Sequence, residues 1–399
     1  MELTLEKPKR ITSIDFLRGL IMVIMALDHS RDFLHFDAWT HDPLDFRYTT
    51  PLLFLTRWVT HYCAPNFIFL AGLSAYLYGQ RTGNNLTKFL ITRGLWLIFL
   101  EFFIFKYLWT GAFLGPESWN VSLNLHFTTL KILFSLNITA LVIWAIGITM
   151  IFLAVWHKLP YHVILATGLL IVFLHNLADP YKLNPNTALG KFWSLLHVMR
   201  PIGMGPFHIF VLYPVLPYFG LICLGYCAGK LYTPSVPAER RQRTLVLLGV
   251  SCIALFIILR MFNIYGDAAH FTPFNDLWST SANYIFSILS FINTTKYPCS
   301  LLYILMTVGP ALILLAIAEN MDNPITRFFI NIGRVPMFYY ILHLFLYRLI
   351  VSVTPWHNSV HLPTVYFAWL FVVFVLYYPC IWYAKYKAAH PEKWWLSYI

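Results

Sequence analysis

Charge is what this sequence has least of. Only 11% of its 399 residues are Asp, Glu, Lys or Arg, against roughly 25% in an ordinary soluble protein. Hydrophobic residues make up 59% and aromatics 18%, so there is too little polar surface to cover the apolar mass in water. Lipid has to cover it. Cysteine is sparse as well. Six are present (63, 223, 227, 252, 299 and 380), mostly in or beside apolar runs and without a CxxC pair, which points to core packing and not to a disulfide or metal framework. A cleavable signal peptide is not expected: the first apolar run starts near Ile11, carries Asp15 and Arg18, and lacks a small-residue cleavage site. Internal repeats, low-complexity tracts and long linkers are missing too, so residues 1–399 read as one integral membrane domain.

What is present is a series of apolar runs near the length of about 20 residues that a bilayer crossing needs. They lie near 12–34, 51–79, 89–109, 131–156, 160–176, 206–230, 245–264, 299–318, 328–351 and 364–385. The expected fold is therefore all-α, a polytopic transmembrane helical bundle of about ten spans. The stretch 279–292 is apolar but broken by polar residues, as in a re-entrant or interfacial helix. The net charge of +11 comes from Lys and Arg in short loops, so it marks topology and no nucleic-acid partner is expected. Ten spans put both termini on one side. That side collects Lys7, Lys9, Arg10, Arg81, Lys88, Arg93, Lys158, Lys230, Arg240, Arg241, Arg243, Arg327, Lys385, Lys387 and Lys393. The other has fewer: Arg31, Arg47, Lys182, Lys191, Arg200 and Lys296. The termini are then cytoplasmic. The longest loops (34–51, 109–128, 177–205 and 264–298) fall on the opposite side, where a substrate lid is plausible.

Ionisable residues inside the spans are the functional candidates, because burying them is costly. The first helix reads SIDFLRGLIMVIMALDHSRDFLH. Arg18 and His29 share one face and stand roughly 16 Å apart along the axis. Asp15 is placed to pair with Arg18, and Asp28 and Asp32 flank His29. A histidine beside a carboxylate is the usual general base; the competing reading is an inert interface histidine. His35, His41 and His61 follow at spacings that fit no common metal-ligand motif, and no metal is expected. Arg93 and Glu101 lie on nearly one face. Lys296 precedes a span. Arg334 and His343, nine residues apart, face opposite ways on a straight helix, and each is a candidate interface anchor. Together these residues predict a polar cavity within the bundle.

An Arg and a His at this spacing in the first helix resemble the signature of the acyltransferase-3 superfamily. RGLIMVIMALDHSRDF, TRGLWLIFLE, YPVLPYFGLICLGYCAGKLY, TKYPCSLLYILMTVGP and GRVPMFYYILHLFL are more similar still to the bacterial branch sharing the heparan-alpha-glucosaminide N-acetyltransferase catalytic domain. The resemblance implies acetyl transfer from cytosolic acetyl-CoA, a donor substrate and not a tightly bound cofactor, to a sugar or glycan acceptor across a bacterial inner membrane. The catalytic candidates are His29, Asp32 and His41. In the lysosomal eukaryotic enzyme the position matching His29 is Asn and the catalytic histidine comes later, where this chain has His35 and His41; the superfamily spacing favours His29. Arg18 and Arg93, then Lys296 and Arg334, are the candidates for holding the anionic CoA. His29 would act as a base or carry an acetyl-imidazole.

The alternative reading is a small-molecule permease, which ten spans with buried charges also suit. A third is a structural protein whose polar groups only join helices. A homodimer is compatible with each.

Overall fold

Turn chemistry and apolar runs together set the helix limits. Thr50 caps a helix opened by Pro51, its side chain accepting from Leu53 N. Asn85 and Ser300 cap two more in the same way. Asn323 and Thr326 form a reciprocal capping box. The computed structural model describes residues 10–81, 83–110, 137–204, 207–267, 278–281 and 283–399. Lys7, Lys9, the first residues of the expected fourth span, most of the 109–128 loop and part of the 264–298 loop lie outside them.

The helices in chain order are α1 Thr12–Leu34, α2 Pro51–Thr60, α3 Cys63–Gly79, α4 Leu86–Leu100, α5 Lys106–Thr110, α6 Val142–Trp156, α7 Tyr161–Leu174 and α8 Ala188–Leu196. They continue as α9 Val215–Ala228, α10 Ala238–Phe262, α11 Tyr284–Ile292, α12 Leu301–Ala318, α13 Pro324–Gly333, α14 Pro336–Val353 and α15 Leu362–Ala389. This is a helical membrane protein. Among the described residues six helices are long and apolar enough to cross a bilayer: Tyr161–Ala178, Val215–Tyr232, Ala238–Phe262, Leu301–Ala318, Pro336–Val353 and Leu362–Ala389. Their outward faces suit lipid; on α10, Leu247 is 57% exposed and Ile258 52%.

The other expected runs depart from single apolar helices for local reasons. α1 is long enough but carries Asp15, Arg18, Asp28, Arg31 and Asp32. The run 51–79 breaks at His61, giving α2 and α3. The run 328–351 breaks between Gly333 and Pro336, giving α13 and α14. Arg334 and His343 therefore do not share one straight helix, and the facing argument drawn from their spacing does not apply. A π-helical turn, Glu101–Phe105, joins α4 to α5. The 279–292 stretch contains only the short α11.

One small sheet interrupts the helical plan. β1 Asn137–Ala140 pairs parallel with β3 Phe207–Val211, and β3 pairs antiparallel with β2 Arg200–Met204. Within two apolar stretches expected to be helical, Asn137–Ala140 and Phe207–Val211 are thus strands. Short β-branched and aromatic runs do not distinguish the two states by periodicity. α1 runs through the middle of the assembly, packed against α2, α3 and α12–α15, so its polar C-terminal turns lie inside protein.

Candidate active site

The last turns of α1 bring Asp28, His29, Arg31 and Asp32 together, and neighbouring segments neutralise them. Asp28 accepts from Arg57 Nη1 of α2 at 2.7 and 2.5 Å and from Arg31 Nη2 at 3.3 Å. Arg31 Nη2 also donates to Asp32 Oδ1 at 2.5 Å. Lys296 Nζ stands 4.0 Å from Asp28, completing a cluster of three cations and two carboxylates. Each ion taken out of water costs several kcal/mol, and only close pairing offsets it. Here that pairing holds α1, α2 and the segment before α12 in one arrangement.

His29 points away from this cluster into a second network. Its Nδ1 is 2.7 Å from Nε2 of His343 on α14. His343 is fully buried, and its Nδ1 lies 2.9 Å from the Tyr339 carbonyl oxygen. A carbonyl only accepts, so His343 Nδ1 carries the proton and its neutral Nε2 accepts. His29 Nδ1–H is then the donor, and His29 Nε2 is left with a lone pair. Trp109 meets the His29 ring edge-on at 5.0 Å and stacks on Phe33, also at 5.0 Å. The ring is held in orientation as well as in tautomer.

His29 lines a cavity of about 1190 Å³, above the usual range of roughly 300–1,000 Å³ for small-ligand sites. Asp28, Arg31, Asp32 and Arg57 form its charged wall. Ile138, Thr139, Ile209 and Phe210 of the sheet face it as a mostly apolar wall. Glu101, Lys106, Trp109 and Tyr340 also line it. The π turn carries Glu101 to the start of α6, where Oε2 accepts from Trp144 N at 3.1 Å; such turns recur at functional sites.

Loop residues Trp39, His41 and Asp42 complete the lining. Trp39 Nε1 donates to the Asp32 carbonyl at 2.9 Å, tying the loop to α1. His41 Nδ1 lies 2.7 Å from Asp37 Oδ1, and its ring stacks on Tyr48 at 3.8 Å. Further along, hydrogen bonds from Arg47 hold the Asp45 carboxyl below the usual carboxylate range.

The three expected catalytic residues, His29, Asp32 and His41, therefore share one cavity. The four expected CoA ligands are not on its lining. Arg18 donates to Asp15 at 3.2 Å, to Ser74 Oγ at 2.9 Å and to the Gly333 carbonyl at 3.4 Å, toward the other end of α1. The Arg93 guanidinium lies 5.7 Å from the Tyr398 ring. Lys296 stands behind the cavity in the ion cluster, 5.3 Å from the Tyr297 ring. Arg334 is exposed after α13, where its carbonyl accepts from Arg10 at 3.5 Å. Arg57, Trp109 and Tyr340 were not singled out from the sequence, and His343 was read as an interface anchor. For Arg57 and His343 the signal was there: each is an ionisable residue within an apolar run.

A search of curated proteins finds no match to this chain. A family model described as "Heparan-alpha-glucosaminide N-acetyltransferase, catalytic" matches residues 10–261, well over half of its length. The matched part includes α1, the ion pair to Arg57, the π turn and the sheet, while His343 and Tyr340 come from the remainder. On this match the chain belongs to the heparan-alpha-glucosaminide N-acetyltransferase catalytic family.

Proposed function

We propose that this protein is a membrane-bound acyltransferase that moves an acetyl group from cytosolic acyl-CoA to a sugar or glycan hydroxyl or amine on the non-cytoplasmic side. Family membership supports acetyl transfer in a membrane. The observation that carries the reading further is the His29–His343 pair, which leaves a basic ring nitrogen on a residue lining a large cavity. His29 Nε2 takes the acceptor's proton as its oxygen or nitrogen attacks the thioester carbon, and returns it to the departing sulfur. The alternative route, through an acetyl-imidazole on the same nitrogen, uses the same pair. Asp32 keeps Arg31 neutralised beside the base. His41, paired with Asp37, is suited to the acceptor side.

Cations at the other end of the bundle suit the anionic portion of CoA. Arg10 and Arg18 at the start of α1, Arg93 midway along α4 and Lys387 near the end of α15 act on one another electrostatically. Arg18 and Arg93 are assigned there, with Arg334 close by through Arg10; Lys296 serves the ion cluster near the thioester. A bacterial inner membrane with cytoplasmic termini fits this direction of transfer. The homodimer draws no support from the fold or the family match.

The test is transfer and hydrolysis of radiolabelled acetyl-CoA by the purified protein in detergent, beside His29→Ala and His41→Ala. Activity in the wild type, lost by roughly 10²–10⁴-fold in His29→Ala, is the expected result. Loss in His41→Ala alone would move the base to His41. A wild type that neither binds nor turns over any of several acyl-CoAs, with amino-sugar acceptors present, would favour the permease.

A further inference from the structure

An acyl transfer at His29 develops negative charge on the thioester oxygen, and a base does nothing for that charge. A preorganised hydrogen-bond donor on the same cavity is required. The charged wall is a poor source. The Arg57 and Arg31 guanidinium groups already donate to Asp28 and Asp32 at 2.5–3.3 Å.

Tyr340 meets the requirement. It lies one turn before His343 on α14, so the two share a face, and their rings meet edge to face at 5.3 Å. It also stands edge to face with His29, centroid to centroid 5.9 Å. Phe105, delivered by the π turn, packs against its ring at 4.8 Å. The residue is only 3% exposed, yet it lines the cavity. Among the described residues its hydroxyl has no hydrogen-bond partner. Nearby Tyr347 is different: its hydroxyl is spent on the Ala26 carbonyl at 2.9 Å. With no protein partner to give up, the hydroxyl of this cavity-lining residue is available to a ligand.

We propose that Tyr340 is a catalytic residue, its hydroxyl donating to the thioester oxygen as that oxygen becomes an oxyanion. The acceptor's oxygen or nitrogen forms a bond to the carbonyl carbon, and the carbonyl π pair moves onto the oxygen bonded by Tyr340. His29 Nε2 holds the acceptor's proton. When the pair returns, the carbon–sulfur bond breaks, sulfur leaves with its electrons, and His29 protonates it. Tyr340 keeps its own proton throughout. This assignment rests on the acyltransferase reading.

Tyr340→Phe removes the donor and little else. The expected result is a kcat lower by roughly 10²–10³-fold, a KM for acetyl-CoA within about threefold of wild type, and an unfolding temperature equal or higher, because no protein hydrogen bond is lost. A kcat within about threefold of wild type overturns the proposal, as does a loss of activity that follows a loss of thermal stability. Replacement by 3,5-difluorotyrosine covers a variant that fails to fold, since it keeps ring and hydroxyl but makes the phenol more acidic. It should move the alkaline limb of the kcat–pH profile to lower pH; an unmoved profile means that Tyr340 only packs. A wild type without acetyl-CoA binding or turnover sinks the acyltransferase reading and this one with it. An active wild type beside an equally active Tyr340→Phe sinks this one alone.

Discussion

The chemistry proposed for His29 depends on where one proton sits. The Tyr339 carbonyl keeps a proton on His343 Nδ1, and that in turn keeps one on His29 Nδ1. Removing His343 frees His29 to adopt either tautomer and leaves its Nδ1–H without an acceptor. His343→Ala is therefore expected to lower kcat for acetyl transfer by roughly 10²-fold or more, with the KM for acetyl-CoA little changed. His343→Gln offers an amide oxygen to the same N–H and should restore part of the rate. Steady-state kinetics on the two variants checks this; a Gln variant no better than Ala would mean that ring packing, and not the proton's position, is what His343 supplies. None of this could be read from spacing. His29 and His343 are 314 residues apart, and a single sequence carries no signal that joins them. What was legible was each ionisable residue in its own apolar run, enough to put His29 forward but not to name its partner.

α1 carries the site, and its position is set by close contact with α13. A Cβ on Gly19 would fall 1.9 Å from the Phe329 carbonyl oxygen, and one on Gly333 would fall 1.9 Å from the Asp15 carbonyl oxygen. Both obstacles are backbone, so neither can swing aside, and small residues at such crossings are how membrane helices approach closely. Gly19→Ala and Gly333→Ala should each destabilise the protein by roughly 1–3 kcal/mol, seen as a lower unfolding temperature in detergent. Activity should fall with it as α1 shifts the His29 ring. Unchanged melting in both variants would mean that the crossing has more slack than its geometry allows. At this scale most of the plan was legible, because hydrophobic runs mark helices wherever they are long. Gly333 and Pro336 also carried a stop and a start, although the run around them read as one span. The π turn at Glu101–Phe105 had no such mark: a single extra residue in a helical turn changes no periodicity that a short window resolves. The strands at 137–140 and 207–211 were hidden for a related reason, being too short to show an alternating pattern.

Across the whole molecule, two polar regions lie at opposite ends of α1. One is the electrostatic grouping of Arg10, Arg18, Arg93 and Lys387; the other is the cavity around His29. Roughly 16 Å of helix separates Arg18 from His29, so a donor held at the first end must reach along α1 to be used at the second. The proposed transfer puts the two ends in different compartments. The distribution of Lys and Arg says which. Lys230 and the first turns of α10, with Arg240, Arg241 and Arg243, are rich in cations, whereas the 34–51 loop at the cavity carries only Arg47, and the proposed orientation therefore puts the former in the cytoplasm. Thr40, in that loop, and Ser235, in the turn before α10, are both exposed. Five of the six native cysteines are buried, so an added thiol can be read above a low background. In intact cells a membrane-impermeant maleimide should label Thr40→Cys directly and Ser235→Cys only after permeabilisation. The reverse pattern would put the cavity loop in the cytosol with acetyl-CoA. Nothing would then need to cross, and the protein would be an acyltransferase for a cytosolic acceptor.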